Sequence, residues 1–409
     1  MALITGEMWD VETNIPSGYS FASNTLSPTG LSGALTFTRS TTGTRINSAG
    51  VLETIAINQP RFQHHPLTGV SQGILIEALS TNTLQWSEEL DNAVWNAPST
   101  NGVVTPNVGT DQFGNITFDR LESDGTNDRR RQTVAHTSGS LIWYDRVAIR
   151  KQTPAVTAEL SVGLAGGTTA VTTTVTIDTA TGVATRTVGT GAFGVIEHID
   201  HWILWASLTD NASGNTSRFA QRRTVTSGTT VDFGAAQLES GSMTSYIKTE
   251  GATVQRAPDS LQKPLSVAGG KYSVVFDFIT PLLNSNPSRI FEAINGSDTG
   301  NRFFISRTNT GLIRASNIIG GVETILSVST PTGGVRAKIA YTVGDGRLAV
   351  AITGGSVIQG AITGVPAVTT MYIGSLSANT QQLCSTIADM QEHNGVALSD
   401  ADLLAAVAL

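Results

Sequence analysis

The stretch Ile339–Ile352, IAYTVGDGRLAVAI, carries the clearest folding pattern in this chain. Apolar side chains occupy alternate positions on both sides of a Gly-Asp-Gly turn at residues 344–346. Successive side chains of a strand point to opposite faces, so this pattern predicts two antiparallel strands that bury one face and are joined by a tight turn. The hairpin therefore predicts an antiparallel β-sheet that covers an apolar core.

The same alternation recurs on either side of this hairpin in the sequence. Residues 272–278 place Tyr, Val, Phe and Phe at alternate positions, and residues 158–164 do the same with Ala, Leu, Val and Leu. Because Thr and Val favour strands while the abundant Gly, Asn, Asp and Ser favour turns, the whole chain is predicted to be all-β. The ending Leu398–Leu409 differs, since Ser399 and Asp402 have the spacing of a helix capping box and predict a short helix.

A length of 409 residues suggests two or three domains, each able to bury its own core. We predict an N-terminal arm and small β module at residues 1–87, a β-sandwich at 88–260 and a second β-sandwich at 261–409. The second boundary falls in residues 253–264, which contain Pro258 and Pro264 and little apolar content. The predicted fold is thus all-β, with two antiparallel β-sandwich (jelly-roll) domains after the arm and module.

Charge and cysteine content limit the partners and the compartment. The net charge of -7 argues against nucleic acid or an anionic membrane as the main partner, since both call for a basic surface. No apolar run approaches the roughly 20 residues of a membrane span, and residues 1–20 lack the features of a signal peptide. The single Cys384 excludes an intrachain disulfide framework, so we expect assembly in a reducing cytoplasm.

The motifs of common enzyme classes are missing from the sequence, which contains no GxSxG, no HExxH and no P-loop. Gly189, Gly191 and Gly194 spell GxGxxG, but a strand-like segment follows where a dinucleotide site needs a helix, so a turn is favoured. Paired carboxylates for glycoside hydrolysis need only converge in space and stay open. We expect no catalytic residues and no cofactor.

Two segments raise the question of a metal. His198 and His201 lie beside Glu197 and Asp200, but on a strand the two histidines would point to opposite faces, which favours a polar turn over a metal centre. The loop Asn295–Asn301, NGSDTGN, is rich in oxygen ligands and could hold a structural calcium. Its spacing departs from the EF-hand pattern, so an Asx-rich turn is the favoured interpretation.

Sugar binding needs an exposed aromatic ring beside planar polar side chains, because the C–H face of a sugar stacks on the ring while its hydroxyls form hydrogen bonds. The candidate glycan-binding residues are Trp143, Tyr144, Arg146 and Trp205. Alternation lets only one of Trp143 and Tyr144 face solvent, and a core position is the alternative for each. Arg129–Arg131 could meet an anionic glycan or a protein partner, or form a solvated loop.

Two further segments carry a resemblance to a known family. Pro60–Trp95, PRFQHHPLTGVSQGILIEALSTNTLQWSEELDNAVW, and Gly234–Asp259, GAAQLESGSMTSYIKTEGATVQRAPD, bracket about 150 residues. Together they resemble segments of tailed-phage virion proteins, in which the first joins a virion-proximal arm to a sandwich of carbohydrate-binding type and the second closes that sandwich. MYIGSL at 371–376 and the C-terminal ending resemble the last elements of concanavalin-like and laminin-G-like sandwiches.

The resemblance implies a non-enzymatic virion structural protein, such as a tail fibre, head spike or decoration subunit. Its N-terminal arm would contact other virion proteins, and its lectin-like sandwiches would contact host surface polysaccharide during host attachment. We expect a homo-oligomer of three or more copies, because weak sugar sites gain affinity when repeated. The alternative is a purely architectural decoration or tail-adaptor protein without glycan binding. A glycan-cleaving protein is the third reading.

Overall fold

The computed structural model describes residues 17–21, 34–96, 103–123, 129–139, 141–282, 287–329, 333–378 and 380–409. These residues form antiparallel strands in four large sheets and two short two-stranded sheets. The one α-helix among them is α1, Asp400–Ala406, and a 3-10 turn covers Ala268–Gly270. The prediction of an all-β chain built from antiparallel sheets is confirmed.

The first sandwich packs a six-stranded sheet against a five-stranded sheet. The six-stranded sheet has the order β15 (Phe193–Glu197), β16 (His201–Thr209), β11 (Ile142–Arg150), β18 (Thr230–Ser240), β9 (Ile116–Glu122) and β8 (Val104–Thr110). The five-stranded sheet has the order β10 (Arg129–Ala135), β17 (Ser217–Thr224), β12 (Thr157–Ala165), β13 (Val171–Asp178) and β14 (Ala184–Val188). Their facing side chains form one core that includes Trp143, Leu160 and Phe233, and Trp95 from the segment before β8 packs in the same core.

The second sandwich pairs an eight-stranded sheet with a seven-stranded sheet. The eight-stranded sheet has the order β28 (Ile358–Ala361), β27 (Arg347–Ile352), β26 (Arg336–Gly344), β21 (Tyr272–Ile279), β30 (Ser385–Asn394), β6 (Ser71–Ile76) and β5 (Phe62–His64), with β1 (Ser17–Ser20) also paired to β30. The seven-stranded sheet has the order β2 (Thr36–Thr38), β20 (Ser260–Pro264), β29 (Thr370–Ile373), β22 (Ser288–Ile294), β23 (Arg302–Arg307), β24 (Leu312–Ile319) and β25 (Val322–Ser329).

Strands from residues 1–87 therefore belong to the second sandwich, which differs from the separate small module that the sequence suggested. β1, β5 and β6 extend the eight-stranded sheet, and β2 forms one edge of the seven-stranded sheet. Phe37, Phe62 and Ile74 are buried in the core of that sandwich beside side chains of residues 261–390. The physical reason is that these short apolar strands have too few partners of their own, so they bury their apolar face by joining a larger sheet.

Two short strand pairs form the remaining two-stranded sheets. β3 (Gly43–Ile46) pairs with β4 (Leu52–Ile55), and β7 (Ser80–Asn82) pairs with β19 (Val254–Arg256). Ile46 and Leu52 from the first pair pack on the outer face of the six-stranded sheet, in a cluster with Phe118, Ile203 and Tyr246. The residues 43–55 thus cover part of the first sandwich, while their neighbours in sequence belong to the second.

A buried ionic cluster, which we call the joint, lies where the chain passes between the sandwiches. Its members are Arg39, Arg61, Glu77, Arg256 and Asp259. The Arg61 Nη1 atom lies 2.6 Å from Glu77 Oε2, and Arg256 Nη1 lies 2.9 Å from the same oxygen. Asp259 accepts hydrogen bonds from Arg39, at 3.1 Å, and from Arg61. All five side chains are almost fully buried.

Four of the five residues of the joint belong to the two segments that carry the sequence resemblance. Arg61 follows Pro60 at the start of the first segment, Glu77 follows the short apolar strand β6, and Arg256 and Asp259 end the second segment. Ser245 from the second segment donates its backbone N–H to Glu77 at 2.6 Å. Burial by itself raises the pKa of the Glu77 carboxyl. The guanidinium groups of Arg256 and Arg61 outweigh this effect and lower the pKa to about 2. The two segments therefore meet in one place.

Two local predictions are confirmed. β26 and β27 pair as the expected hairpin, and Asp345 and Gly346 both have positive φ, at 50° and 73°, as a two-residue primed turn requires. The predicted C-terminal helix forms, with Ser399 Oγ accepting from the Asp402 backbone and Asp402 accepting from the Ser399 backbone. Within the described ranges, no helix has the length and apolar composition needed to cross a membrane.

A cleft between the two sandwiches as the candidate functional site

A cleft of about 690 Å³ lies between the outer face of the six-stranded sheet and the second sandwich. β11, β15 and β16 form its floor, and two segments of the second sandwich, at residues 279–282 and 384–386, form one wall. The segment at residues 45–75 contributes a further wall. A volume of this size falls within the roughly 300–1,000 Å³ that is typical of small-ligand sites.

Three of the four candidate sugar-binding residues line this cleft. Tyr144 and Arg146 lie two positions apart on β11, and Trp205 on β16 is the direct cross-strand partner of Arg146. The ring centroids of Tyr144 and Trp205 are 6.2 Å apart. Their exposed surface is small, at 4% for Tyr144, 8% for Arg146 and 9% for Trp205, so they form a recessed floor.

Trp143 lies apart from these three residues. It points into the core of the first sandwich, where the Arg218 guanidinium carbon lies 4.0 Å from its ring centroid and His136 packs against its edge. The strand alternation that allowed only one of Trp143 and Tyr144 to face outward therefore places Tyr144 on the cleft side. Trp143 is a core residue in this structure.

A glycine positions the indole of Trp205. Gly194 on β15 is the cross-strand partner of Trp205, and a Cβ at this glycine would lie only 2.8–2.9 Å from three atoms of the indole ring. The ring therefore lies across the neighbouring strand at the place where that strand has no side chain. This contact gives the aromatic floor a fixed orientation, and it explains one glycine of the GxGxxG pattern.

The other two glycines of that pattern serve the turn between β14 and β15. Gly189 has a φ of 80°, and a Cβ at Gly191 would lie 1.7 Å from the Ser207 carbonyl oxygen. β15 follows the turn where a dinucleotide fingerprint requires a helix. The segment is a close crossing from the five-stranded to the six-stranded sheet, as the strand-like residues after it suggested.

Arg146 is the charged group on the floor. Its Nη1 donates to the Thr244 carbonyl oxygen at 3.0 Å, and its Nε is buried without a hydrogen-bond partner. Among the described residues, Arg146 has no carboxylate within ion-pair distance. Burial lowers the pKa of Arg146. The negative charge of Glu239, which lies beyond ion-pair distance, partly opposes that shift.

His198 reaches the cleft from the turn before β16 and stacks on His201, with ring centroids 4.3 Å apart. The two rings therefore do not point to opposite faces, as a continuous strand would require, because the chain turns between them and the His198 N–H donates to the His201 carbonyl oxygen. Burial, assisted by His201 and Arg146, lowers the pKa of His198 to about 3. His201 Nδ1 lies 2.7 Å from Asp200 Oδ1. In the part of the chain that the structure describes, no three His, Cys, Asp or Glu side chains are grouped as a metal would require.

Two other sequence candidates lie elsewhere. In the loop Asn295–Asn301 the Asp298 carboxylate accepts hydrogen bonds from the Gly300 backbone at 3.0 Å and from the Asn301 side chain at 2.9 Å, which is the geometry of an Asx-rich turn. A structural calcium there stays a prediction. Arg129–Arg131 lie on β10, where the Arg131 guanidinium stacks 4.1 Å above the Phe219 ring.

The cleft has few groups that could perform chemistry. Glu197 is the one carboxylate among its described lining residues, and Lys151 Nζ lies 2.7 Å from it. Burial raises the pKa of the Cys384 thiol to about 11, so this lining cysteine is protonated near neutral pH. Sequence reasoning did not identify the walls at residues 45–75 and 279–282, since no local pattern relates them to β11 and β16.

In comparisons with known proteins, no family model and no curated protein sequence matches this chain. Its structure is similar in part to the CBM40 domain of the Ruminococcus gnavus IT-sialidase bound to α2,3-sialyllactose, with 14% identity and a TM-score of 0.30 over 36% of this chain and 98% of that one. It is also similar to domain 4 of AbnA, a GH43 extracellular arabinanase from Geobacillus stearothermophilus, in complex with arabinotriose, with 16% identity and a TM-score of 0.29 over 41% of this chain and 82% of that one.

A third similar structure is the LG4-5 domain pair of the mouse laminin α1 chain, with 9% identity and a TM-score of 0.24. That similarity covers 72% of this chain and 91% of the laminin chain. The structural neighbours of this chain are thus carbohydrate-binding-module and laminin-G β-sandwich domains, at low identity and low TM-score.

Proposed function

We propose that this protein is a non-enzymatic structural subunit of a tailed-phage or phage-like particle that binds host surface glycan in the cleft between its sandwiches. The observation that carries the glycan part is the cleft floor, where Tyr144, Trp205 and Arg146 lie side by side. Aromatic faces stack on the C–H faces of sugar rings, and a guanidinium donates several hydrogen bonds to sugar oxygens. The cleft combines both kinds of contact.

The preformed orientation of Trp205 supports binding. Its indole is held across Gly194 and packs near Tyr144, so little side-chain entropy remains to be lost when a ligand arrives. Apolar atoms form most of the exposed lining surface, and about half of the lining side chains carry a polar group that could orient a ligand. These features support a binding role for the floor residues.

The cleft is proposed not to cleave glycans because its described lining lacks a pair of carboxyl groups. Hydrolysis of a glycosidic bond commonly needs two carboxyl groups on either side of the scissile bond. The described lining of the cleft supplies one, Glu197, and that group is paired with Lys151. A binding protein needs no such pair.

The virion role rests on the sequence resemblance of residues 60–95 and 234–259. In its favour, Arg61 and Glu77 of the first segment meet Arg256 and Asp259 of the second in the joint, so the two segments contact each other in the structure. We propose that the N-terminal region contacts other virion proteins, and that three or more copies assemble as a fibre, spike or decoration. Repeated weak sites would then bind a host surface by avidity.

The test is glycan binding by the full-length protein, measured by calorimetry after a screen of bacterial surface polysaccharides. We expect Trp205→Ala to weaken binding by about tenfold or more, because one stacked aromatic face is lost. Phe219→Ala is the matched control, since Phe219 lies on β17, on the five-stranded sheet and outside the cleft. Equal binding by Trp205→Ala and the wild type would refute the site.

The same samples separate the alternatives. New reducing ends above a heat-treated control would contradict the non-enzymatic proposal. An absence of glycan binding, with normal incorporation into particles, would favour a purely architectural decoration or tail-adaptor role. An absence of the chain from any particle would contradict the virion role and leave the binding test unaffected.

A further inference from the structure

We infer that the cleft recognises an acidic saccharide, whose carboxylate pairs with the guanidinium of Arg146. This inference rests on the proposed glycan binding and adds the chemical class of the ligand. Among the described lining residues, the acidic and guanidinium side chains of the cleft are paired, except for Arg146 on the floor.

The other charged side chains of the lining have partners. Arg45 Nε lies 2.6 Å from Glu53 Oε1, and Glu197 Oε1 lies 2.7 Å from Lys151 Nζ. Arg146 has no such partner among the described residues, although it is more than nine-tenths buried. Its Nε has neither an acceptor nor contact with solvent. A buried guanidinium without a counter-ion is costly, so it would gain from an anion that enters the cleft.

The surroundings of Arg146 do not neutralise it. The carboxylate with the largest effect on its pKa, that of Glu239, already accepts hydrogen bonds from Thr244 and Gln237. Arg146, Glu239 and the joint together contain four guanidinium groups and three carboxylates, which leaves one positive charge in excess. The seven groups are Arg39, Arg61, Arg146, Arg256, Glu77, Glu239 and Asp259.

The wall opposite the floor adds to this positive charge. Arg307 is buried, donates to the Pro281 carbonyl oxygen at 2.8 Å, and has no carboxylate at ion-pair distance in the described part of the chain. Pro281 itself lines the cleft. The chain as a whole carries a net charge of -7, so the local excess runs against the overall charge. A low-dielectric cleft with this excess favours an anionic ligand.

The geometry also favours a sugar acid over a free anion. The floor offers the guanidinium and, directly beside it, the aromatic faces of Trp205 and Tyr144. A carboxylate can accept two parallel N–H bonds from a guanidinium while the attached ring stacks on an aromatic side chain. A uronic-acid unit has both features in one residue, whereas a neutral hexose has only the second.

The experiment compares matched ligands on the full-length protein. The probes are a panel of hexuronate oligosaccharides, each measured beside the same oligosaccharide after carboxyl reduction, at low and at high salt. We expect the acidic member of a bound pair to bind about tenfold tighter or more, since bonds to charged groups are the stronger ones. This preference should shrink at high salt.

Two variants assign the preference to one residue. Arg146→Gln should remove it while leaving the binding of the carboxyl-reduced member nearly unchanged. Arg120→Gln is the matched control, because Arg120 lies on β9 of the same sheet, is paired with Asp232 at 2.8 Å and lies outside the cleft. The control removes the same formal charge and should keep the preference.

Each outcome supports or overturns the inference. Equal affinity for the two members of every bound pair, or an acid preference that survives in Arg146→Gln, overturns it. Binding of carboxyl-reduced glycans alone overturns it and leaves the proposed glycan binding intact. Binding of no glycan in the panel or the screen refutes the proposed function itself. If Arg146→Gln does not fold, the wild-type comparison of matched pairs still decides.

Discussion

Replacement of Asp259 by Asn should separate the stability of the joint from that of the rest of the molecule. Asp259 is fully buried and accepts bonds from Arg39, Arg61 and the Glu77 backbone, the last at 2.8 Å. Asn has nearly the same shape but no charge, so Asp259→Asn leaves buried guanidinium groups with too few counter-ions. Removal of one partner from a buried ion pair commonly costs about 3–5 kcal/mol.

The expected loss of stability in Asp259→Asn can be compared with the loss at a more exposed ion pair of the N-terminal segment. The Arg45–Glu53 ion pair is partly exposed, with 35% of the Glu53 side chain accessible, and an exposed pair contributes about 1 kcal/mol or less. We therefore expect Asp259→Asn to lower the free energy of unfolding several times more than Glu53→Gln does. Guanidinium chloride unfolding, followed by tryptophan fluorescence, measures both variants under the same conditions.

The result also reports on coupling between the sandwiches. Arg61 and Glu77 flank strands of the second sandwich, whereas Ser245 follows β18 of the first. In the wild type the two sandwiches should unfold together in one transition. In Asp259→Asn this unfolding transition should become broader or split into two. The reasoning about the joint is wrong if Asp259→Asn and Glu53→Gln differ by less than about 0.5 kcal/mol, the usual range of surface substitutions.

Four further predictions follow from individual residues and from assembly. Folding lowers the pKa of His198 from 6.5 to about 3, so the unfolded state binds the proton first as the pH falls. The free energy of unfolding should therefore drop by at most about 1.4 kcal/mol per pH unit between these two values. His198→Asn should flatten this slope when the denaturation midpoint is measured at decreasing pH. Ser399→Ala should cost about 1 kcal/mol in the same unfolding assay, whereas Ser399→Asp should keep the helix cap. Gly191→Ala should lower the melting temperature, at a cost of about 1–3 kcal/mol, while Gly139→Ala, with no atom near its added Cβ, should not. Light scattering of the purified protein should show three or more copies, and a monomer both in solution and on particles would contradict the assembly proposal.

Local features were predictable from the sequence because their physics lies within a few residues. The Asp345-Gly346 turn depends on two residues that accept positive φ, and the Ser399 cap depends on a side chain three positions away. The strand after Gly194 was visible from alternation. In each case the pattern and the contact that it produces involve neighbouring positions in the chain.

Long-range pairing could not be predicted in this way. The apolar residues of β6 indicated a buried strand, but its partner β30 lies about 300 positions further along the chain. Alternation says that a face is buried and not what covers it. For this reason residues 1–87 were expected to form a module of their own. A chain that starts near Ser87 would lack strands of both sheets of the second sandwich, so it should not remain folded as a whole.

In the candidate site, too, the sequence predicted what depends on neighbouring residues and not what depends on long-range pairing. Alternation on β11 established that Trp143 and Tyr144 face opposite sides, and the structure was needed to show that Tyr144 faces the cleft. The pairing of Arg146 with Trp205 depends on the register of β11 against β16, which are separated by about 60 positions. The cleft exists because the second sandwich covers this sheet, which no local pattern could indicate.

The joint and the cleft are connected by one short segment, Thr244–Tyr246. The Thr244 carbonyl oxygen accepts from Arg146, the next residue donates its backbone N–H to Glu77, and the Tyr246 carbonyl oxygen accepts from Thr44. These contacts position the floor, the joint and the hairpin β3–β4 from three consecutive residues. Since a binding site works best when its groups are held by rigid neighbours, the proposed binding would give the buried charges of the joint a role beyond stability. We infer that they hold the second sandwich over the six-stranded sheet and so maintain the width of the cleft that Arg146 lines.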